Sequence, residues 1–382
     1  MKLLKIIANN YKICEEDFTI SFVPSGNKTS IDKEFELLKV DEDLYTFSTL
    51  GVIGKNASGK TMTLELLAII YDIFSHFRIN NTKDLFKYID KPIKLDITFY
   101  YEGSVYRYLT ELSKDNNSSL DDSIFFKNEK LFRRIYKKSH ARNLFEYDKF
   151  EKLIFDIGLP SDTSLLYFLL KEINLRGVYL PSDDYRYRDY YNSFNIYKLL
   201  DTNLNIVTSL LKIFDEHLDN IKMVNEDKFI VYYKDKSTRE VSSYDLYRIL
   251  SSGTSKGFGL FTYVIYSLRT GTDLIIDEIE NHFHKTIVEN LVNLYKDKSI
   301  NINNASLIFT THYCELLDLF NRSDNIYISK YEDKIKLENM HEKYKFRGEL
   351  SKSNKFYNNE FNTNVSYEAL MNFKKELMKW EY

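Results

Sequence analysis

Apolar residues along this chain change their spacing several times, and each change predicts a different element. Residues 45–53 are rich in β-branched and aromatic side chains, which is typical of a strand. Residues 61–77 follow as a nearly continuous apolar run without Pro or Gly, which predicts a largely buried helix. Between them lies a short polar segment bounded by glycines. A strand, a glycine-bounded loop and a helix are therefore expected in that order.

The rest of the pattern extends this to an alternation of strands and helices. An amphipathic helix is predicted at 200–220, an apolar helix at 257–268 and a further helix at 287–295. Strand pairs are predicted at 3–8 with 18–22, 93–101 with 105–112, 229–233 with 240–242, and 326–329 with 334–337. Two short apolar strands, 274–276 and 306–310, flank the helix at 287–295, an arrangement that indicates a parallel sheet.

The amino-acid composition changes between residues 113 and 199. It becomes polar and charged, apart from a helix-like run at 164–175. We interpret 113–199 as a partly helical insertion. It divides a nucleotide-binding head formed by residues 1–112 and 200–345, and residues 346–382 form a C-terminal tail.

Composition sets limits on the class of protein. Hydrophobic residues are 43% and charged residues 29% of the 382, as in ordinary soluble proteins, and the net charge is −3. No global field attracts nucleic acid, so such contacts would need a local patch. Cys14 and Cys314 make no metal or redox spacing. With no apolar run approaching the ~20 residues that cross a bilayer, we expect a cytoplasmic protein with no membrane partner.

The loop before the first long helix carries a specific chemical signal. It reads GKNASGKT and fits G-x-x-x-x-G-K-[ST], the pattern that holds the phosphates of a nucleoside triphosphate. Its glycines allow successive N–H groups to turn toward one anion, and the helix adds its positive N-terminal end. The lysine is expected to reach the β- and γ-phosphates and the threonine hydroxyl to bind Mg²⁺. The candidate nucleotide-binding residues are Gly54, Lys55, Asn56, Ala57, Ser58, Gly59, Lys60 and Thr61.

A second candidate lies where the strand at 274–276 ends in two carboxylates, Asp277 and Glu278. Open α/β sheets bind ligands at the carboxyl ends of their strands. Asp277 is expected to hold Mg²⁺ through water, and Glu278 to orient and deprotonate the attacking water, as phosphoryl transfer requires.

Two further segments come before and after this strand. Residues 250–257 (LSSGTSKG) open an apolar helix, where a Ser side chain, a Gly backbone and the helix N-terminus form a second anion site. Residues 307–312 (LIFTTH) form a strand that ends in His312. Taken alone, the first is also consistent with a Ser-rich helix cap, and the second is typical of a structural histidine.

Together the four motifs resemble those of ABC-type P-loop ATPases. The resemblance covers roughly residues 1–112 and 200–340, and is closest to the soluble SMC, RecF and OLD branch. More narrowly, the chain resembles prokaryotic AAA-family ATPases of anti-phage, or abortive-infection, systems. It implies an α/β ABC-ATPase head: a P-loop fold with a mixed sheet core, an N-terminal antiparallel β subdomain and an insertion. It also implies ATP and Mg²⁺ as cofactors, Glu278, His312 and Lys60 as catalytic residues, and a signature, Ser251, Ser252 and Gly253, that acts in trans.

Some positions depart from this family or stay open. A Q-loop glutamine has no clear place in the sequence. Tyr11 is a candidate for stacking on adenine, although a core or surface tyrosine fits equally well. His282 and His284 lack further ligands at metal-binding spacing.

The resemblance implies a homodimer that closes on ATP, since each site needs the signature of the opposite chain. We expect the ATPase to regulate a separate effector, a nuclease or toxin, in anti-phage defence. The alternative is a DNA-repair ATPase of the SMC or RecF kind that acts directly on DNA. For that function the candidate nucleic-acid contact is the basic stretch 133–142 (RRIYKKSHAR), which otherwise is a solvated helix face.

Overall fold

The computed structural model of the protein describes most of the chain, with gaps between its ranges. The described residues are 1–78, 91–114, 124–155, 158–170, 175–182, 204–225, 228–242, 245–246, 252–281, 283–344, 351–361 and 367–380. Their strands are β1 Lys2–Asn9, β2 Phe18–Ser21, β3 Leu37–Asp41, β4 Leu44–Phe47, β5 Thr49–Ile53, β6 Ile93–Tyr101, β7 Ser104–Lys114, β8 Ile124–Ile135, β9 Glu151–Leu153, β10 Gly177–Leu180, β11 Leu218–Asn225, β12 Lys228–Tyr233, β13 Thr238–Ser242, β14 Asp273–Ile276, β15 Leu307–Thr311, β16 Ile326–Tyr331 and β17 Ile335–Asn339. Their helices are α1 Lys60–His76, α2 Leu166–Leu169, α3 Leu204–Phe214, α4 Ser252–Thr270, α5 Lys285–Lys296, α6 Met340–Lys343, α7 Lys352–Tyr357 and α8 Tyr367–Lys379.

A mixed sheet with the order β10-β14-β15-β5-β16-β17 forms the centre of the fold. Its first five strands are parallel, and β17 returns antiparallel to β16. The carboxyl ends of β5, β14 and β15 consequently meet at one edge. That edge receives the glycine-bounded loop, the acidic pair and the histidine.

A second sheet, antiparallel and ordered β2-β1-β6-β7-β8-β9, faces the central sheet across α1. Apolar side chains alternate between the two faces of the central strands, as their period of two requires. Ile275 and Ile308 join the core that contains α1, whereas Ile276 and Phe309 join the core that contains α3, α4 and α5. Helix α1 is thus buried between two sheets, as its continuous apolar run predicted.

These observations confirm the predicted fold class, an α/β head with a mixed sheet core and an N-terminal antiparallel subdomain. The parallel pairing of β14 with β15 and the hairpins β1–β2, β6–β7, β12–β13 and β16–β17 also follow the predictions.

One predicted strand is divided. Residues 45–53 form β4 and β5, which belong to different sheets and are separated at Ser48. The buried Ser48 donates its N–H to Glu36 O (2.9 Å), while its own carbonyl accepts from Leu307 N (2.9 Å). The chain therefore changes pairing partners at this residue.

Two predicted helices are shorter than expected. Within 200–220 the described helix is α3, and β11 already begins at Leu218, after a turn in which Asp215 Oδ1 accepts from His217 N (2.9 Å). Within 164–175 only α2 is described as helical.

The division of the chain at residues 112 and 199 stays a prediction. The described part of 113–199 supplies strands to both sheets, since β8 pairs along β7 and β10 pairs with β14. Of the tail, α7 and α8 are described. No helix in the described ranges is long and apolar enough to cross a membrane.

Candidate functional site

The glycine-bounded loop connects β5 to α1 and curls around its own lysine. Ala57 and Gly59 have φ values of 58° and 98°, the left-handed region that turns N–H groups inward. Lys60 is only 6% exposed, and its Nζ donates to the carbonyls of Gly54 and Lys55, both at 3.1 Å. Helix α1 begins at this lysine with no side-chain cap, so its first N–H groups face the loop.

The close packing around the loop requires both of its glycines. A Cβ atom on Gly54 would lie 2.4 Å from Ser329 O, and one on Gly59 would lie 2.4 Å from Ile335 Cγ2. Ser329 also donates its hydroxyl to Ser58 O (2.7 Å). Strand β16 and the start of β17 therefore support the loop from behind.

The carboxylate of Asp277 lies against the start of α1. Its Oδ2 accepts from Thr61 Oγ1 at 2.8 Å and its Oδ1 from Thr310 Oγ1 at 2.6 Å. Asp277 is 2% exposed, and within the described ranges no Lys, Arg or His lies within ion-pairing distance of it. A buried, oxygen-only donor set of one carboxylate and one hydroxyl fits Mg²⁺, which prefers hard oxygen ligands.

Glu278 and His312 face each other across the same edge. Their Oε1 and Nε2 atoms are 3.6 Å apart, and the two side chains are 37% and 33% exposed. The His312 N–H donates to Glu280 Oε1 at 2.5 Å, and the Glu278 N–H donates to Thr310 Oγ1 at 2.7 Å. The ends of β14 and β15 are thus joined by side-chain hydrogen bonds as well as by their ladder.

Charge at this edge is of mixed sign. Burial lowers the pKa of Lys60, whereas the negative charges of Glu278, Asp277 and Glu280 act in the opposite direction. A buried lysine beside carboxylates stays available to a polyanion, because the phosphates would add the negative charge that favours its protonated form.

A cleft of about 530 Å³ opens over the loop. Loop and α1 residues 56–62 form its floor, with Glu278 and His312 on one side. At its mouth stand two exposed apolar side chains, Ile13 (50%) and Tyr331 (48%). The segments that carry these two side chains are hydrogen-bonded to each other, since Ile335 N donates to Ile13 O (3.0 Å) beside the β16–β17 turn.

Tyr11 lies in the core and not in this cleft. It is 1% exposed, and its hydroxyl donates to Met62 O at 3.2 Å. Burial raises its pKa well above the ordinary value. Of the two alternatives for this residue, the structure favours the core tyrosine.

The predicted signature is described only in part. Ser251 lies outside the described residues, and for Ser252 only its place as the first residue of α4 is described. Gly253 follows in the first turn of that helix. Gly253 is not among the residues of the cleft around the loop.

The basic stretch 133–142 is not a helix face. It comprises the end of β8 and a short 3-10 turn, Lys138–His140. Arg133 Nε donates to Ser104 Oγ (3.0 Å), and Lys138 Nζ lies 3.0 Å from Glu42 Oε1. Part of its charge is therefore engaged within the chain.

His284 is not part of a metal-binding cluster of described residues. His284 caps α5, accepting from Thr286 N at 3.3 Å, and His282 lies outside the described residues. No cluster of three or more His, Cys, Asp or Glu side chains suited to a metal ion occurs in the described ranges.

Sequence reasoning missed three residues that shape the site: Thr310, Ser329 and Tyr331. An aromatic residue at the tip of a predicted hairpin is a usable signal for Tyr331. Thr310 and Ser329 have no comparable sequence signal, since a Thr or Ser within an apolar strand shows no distinctive pattern.

A glycine-bounded loop that faces an acidic strand end across one edge of a parallel sheet is the arrangement typical of P-loop nucleoside triphosphatases. The family model described as "AAA domain, putative AbiEii toxin, Type IV TA system" matches residues 50–318, and the chain belongs to this family. That membership confirms the resemblance to AAA-family ATPases of abortive-infection systems. No curated protein matches the chain by sequence. Among solved structures, the SMC head domain from Thermotoga maritima is similar to it, with 10% identity, a TM-score of 0.44, and coverage of 89% of this chain and 99% of that chain.

Proposed function

We propose that the protein binds and hydrolyses ATP with Mg²⁺ at the edge formed by β5, β14 and β15. The observation that carries this is the 2.8 Å hydrogen bond from Thr61 to Asp277, which brings the loop and the acidic strand end into one site. The loop amides and Lys60 would hold the phosphates, and Thr61 with Asp277 would hold Mg²⁺. Bound there, Mg²⁺ supplies charge neutralisation for the phosphates.

Within this proposal Glu278 orients the attacking water and accepts its proton. Its carboxylate stands above the loop and is partly exposed, so that water can reach it. His312, whose Nε2 lies 3.6 Å from Glu278 Oε1, would contact the γ-phosphate. Phosphoryl transfer depends chiefly on such positioning and on charge stabilisation.

The base of the nucleotide would lie between Tyr331 and Ile13 at the mouth of the cleft. An exposed aromatic ring next to an exposed aliphatic side chain offers a stacking surface that any purine can use. These two residues take the role for which Tyr11 was considered.

We further propose a homodimer in which each signature completes the site of the other chain. Helix α4 reverses into β14 through Gly271 and Thr272, so the first residue of α4 lies toward the sheet edge that carries Asp277. The 19 residues of α4 extend about 28 Å, whereas the four of β14 extend about 13 Å. The signature end of α4 would thus project beyond its own sheet edge, where a second chain can meet it.

The work done by this cycle would be regulation of a separate effector, a nuclease or toxin, in anti-phage defence. The family description, which names a toxin and a type IV toxin–antitoxin system, supports this role. Co-purification with the products of neighbouring genes, with and without ATP, tests it. An effector retained equally in both conditions would argue against control by ATP.

Glu278→Gln is the decisive variant for the ATPase and the dimer. It should retain ATP binding, lose turnover and accumulate an ATP-bound dimer in size-exclusion chromatography with light scattering. Lys60→Ala should lose nucleotide binding, while Glu376→Gln, on the exposed surface of α8, should match the parent protein. A Glu278→Gln variant that stays monomeric at saturating ATP would contradict the dimer, and one that hydrolyses ATP at the parent rate would contradict the site.

A further inference from the structure

Thr310 is part of the site, although the sequence around it gives no signal of such a role. It lies near the end of β15, is fully buried, and comes two residues before His312. Its side chain reaches across to the end of β14. There its hydroxyl contacts both proposed functional residues, Asp277 at the carboxylate and Glu278 at the backbone N–H.

One hydroxyl acts as the donor in the first of these hydrogen bonds and as the acceptor in the second. The Thr310 hydroxyl donates to Asp277 Oδ1 at 2.6 Å and accepts from the Glu278 N–H at 2.7 Å. A hydroxyl has a single hydrogen, so donation to the carboxylate fixes its rotor and leaves its lone pairs for the amide. Oδ1 of Asp277 is thereby occupied, and Oδ2 is turned toward Thr61.

The amide held in this way belongs to a residue with unusual backbone geometry. Glu278 has φ of 51°, a left-handed conformation that is uncommon outside glycine and that persists only when neighbouring groups hold it. Two of the groups that hold it come from Thr310, since its carbonyl accepts from Ile279 N at 3.0 Å while its hydroxyl accepts from Glu278 N.

We propose that Thr310 is a positioning residue for hydrolysis, and this rests on the proposed ATPase function. Its hydroxyl links the magnesium carboxylate to the catalytic glutamate, so that the direction of the Glu278 side chain is set by the same group that orients Asp277. Valine has nearly the shape of threonine but can make neither bond. Serine keeps both.

The test compares Thr310→Val with Thr310→Ser and with Thr262→Val. Thr262 is a matched control, because it is fully buried, donates to Phe258 O at 2.8 Å and lies within α4, away from the cleft. Loss of a bond to a charged group and of a second bond should lower kcat by about ten- to a hundredfold in Thr310→Val. KM for ATP should change far less, since Thr310 does not contact the loop, while half-maximal activity should need more Mg²⁺. Serine should restore kcat.

A second readout needs neither ATP nor metal. Amide hydrogen exchange, resolved to single residues by mass spectrometry with electron-transfer fragmentation, should accelerate at Glu278 by at least about tenfold in Thr310→Val. Exchange at Ile279 should change little, because its acceptor is the backbone carbonyl of residue 310. Thr310→Ala removes the same hydroxyl and replaces Thr310→Val if that variant does not fold.

The outcomes separate the inference from the ATPase itself. A parent protein that hydrolyses ATP, together with a Thr310→Val variant of equal kcat and equal exchange at Glu278, would overturn the positioning role and leave the ATPase standing. Equal losses in Thr310→Val and Thr262→Val would also overturn it, as a purely structural effect. A parent protein without turnover would overturn the ATPase and the positioning role together.

Discussion

Replacing Gly59 by alanine tests whether the loop needs the backbone angle and the space that the structure gives it. Gly59 has φ of 98°, and a Cβ atom there would lie 2.4 Å from Ile335 Cγ2 and 2.6 Å from its Cδ1. Carbon atoms in contact are ordinarily about 3.5–4.0 Å apart. Relief would require movement by the loop or by the start of β17.

The expected magnitude has two parts. An L-residue in the left-handed region costs about 1–2 kcal/mol, and overpacking typically costs about 1–3 kcal/mol. Their sum is about 2–5 kcal/mol. At about 1.4 kcal/mol for each factor of ten, nucleotide affinity should fall at least about 30-fold if the free loop relaxes. If it does not relax, the same cost appears in the free energy of unfolding.

Both quantities are therefore measured, affinity by titration calorimetry with ATP and stability by urea unfolding. Gly158→Ala is the matched control, since a Cβ atom there meets nothing within 4 Å. Combining Gly59→Ala with Ile335→Ala removes the clash but keeps the backbone strain. A double-mutant cycle should thus recover only the packing part.

One result would refute the reasoning. If Gly59→Ala binds ATP within about threefold of the parent protein and unfolds at the same urea concentration, neither cost exists. The loop would then not require the conformation described.

Three further changes have definite expected outcomes. Glu36→Leu leaves Lys296, 8% exposed and 2.6 Å from Glu36 Oε1, as an unpaired buried charge, so urea unfolding should show a loss of about 3–5 kcal/mol. Lys296→Met should reverse only part of this loss, because Glu36 also accepts from Asn321 N (3.2 Å) and Asn325 Nδ2 (3.1 Å). Burial lowers the pKa of Lys298 from 10.5 to about 8. Between about pH 8 and pH 10.5 this lysine is therefore protonated in the unfolded chain and neutral in the folded protein, so the free energy of unfolding should rise with pH. Thermal unfolding of Lys298→Met should lack this rise and show higher stability at pH 7. Tyr331→Ala should weaken binding of a fluorescent ATP analogue by about ten-fold through lost stacking, and unchanged affinity would place the base elsewhere.

Much of the fold could be predicted because its main signals are local. The apolar run of α1 and the short apolar strands β14 and β15 were recognisable from composition and spacing alone. Motif order located the loop, the acidic pair and His312 at one sheet edge, because parallel strands bring their carboxyl ends together whatever the intervening sequence.

Other features depend on partners distant in sequence. Strand β8 alternates only weakly, and what fixes it is pairing with β7 over most of its length. The break at Ser48 depends on an acceptor at Glu36 and a donor at Leu307. The sequence left open whether Tyr11 stacks on adenine or is a core or surface residue, and only its contact with α1 shows that it is buried. Such contacts leave no periodic trace in the sequence.

The central position of β5 has a consequence for how the chain acquires its structure. Thr49 pairs with Leu307, and Gly51 pairs with Ile326, so this strand gains its neighbours only after the chain has been made as far as β15 and β16. By contrast, β6, β7 and β8 pair with sequence neighbours and can form early. Contacts between distant residues slow folding, and synthesis proceeds from the N-terminus. The nascent chain must therefore keep an apolar strand and helix α1 protected until β15 and β16 have been made, and the sheet edge that carries the glycine-bounded loop is completed only then.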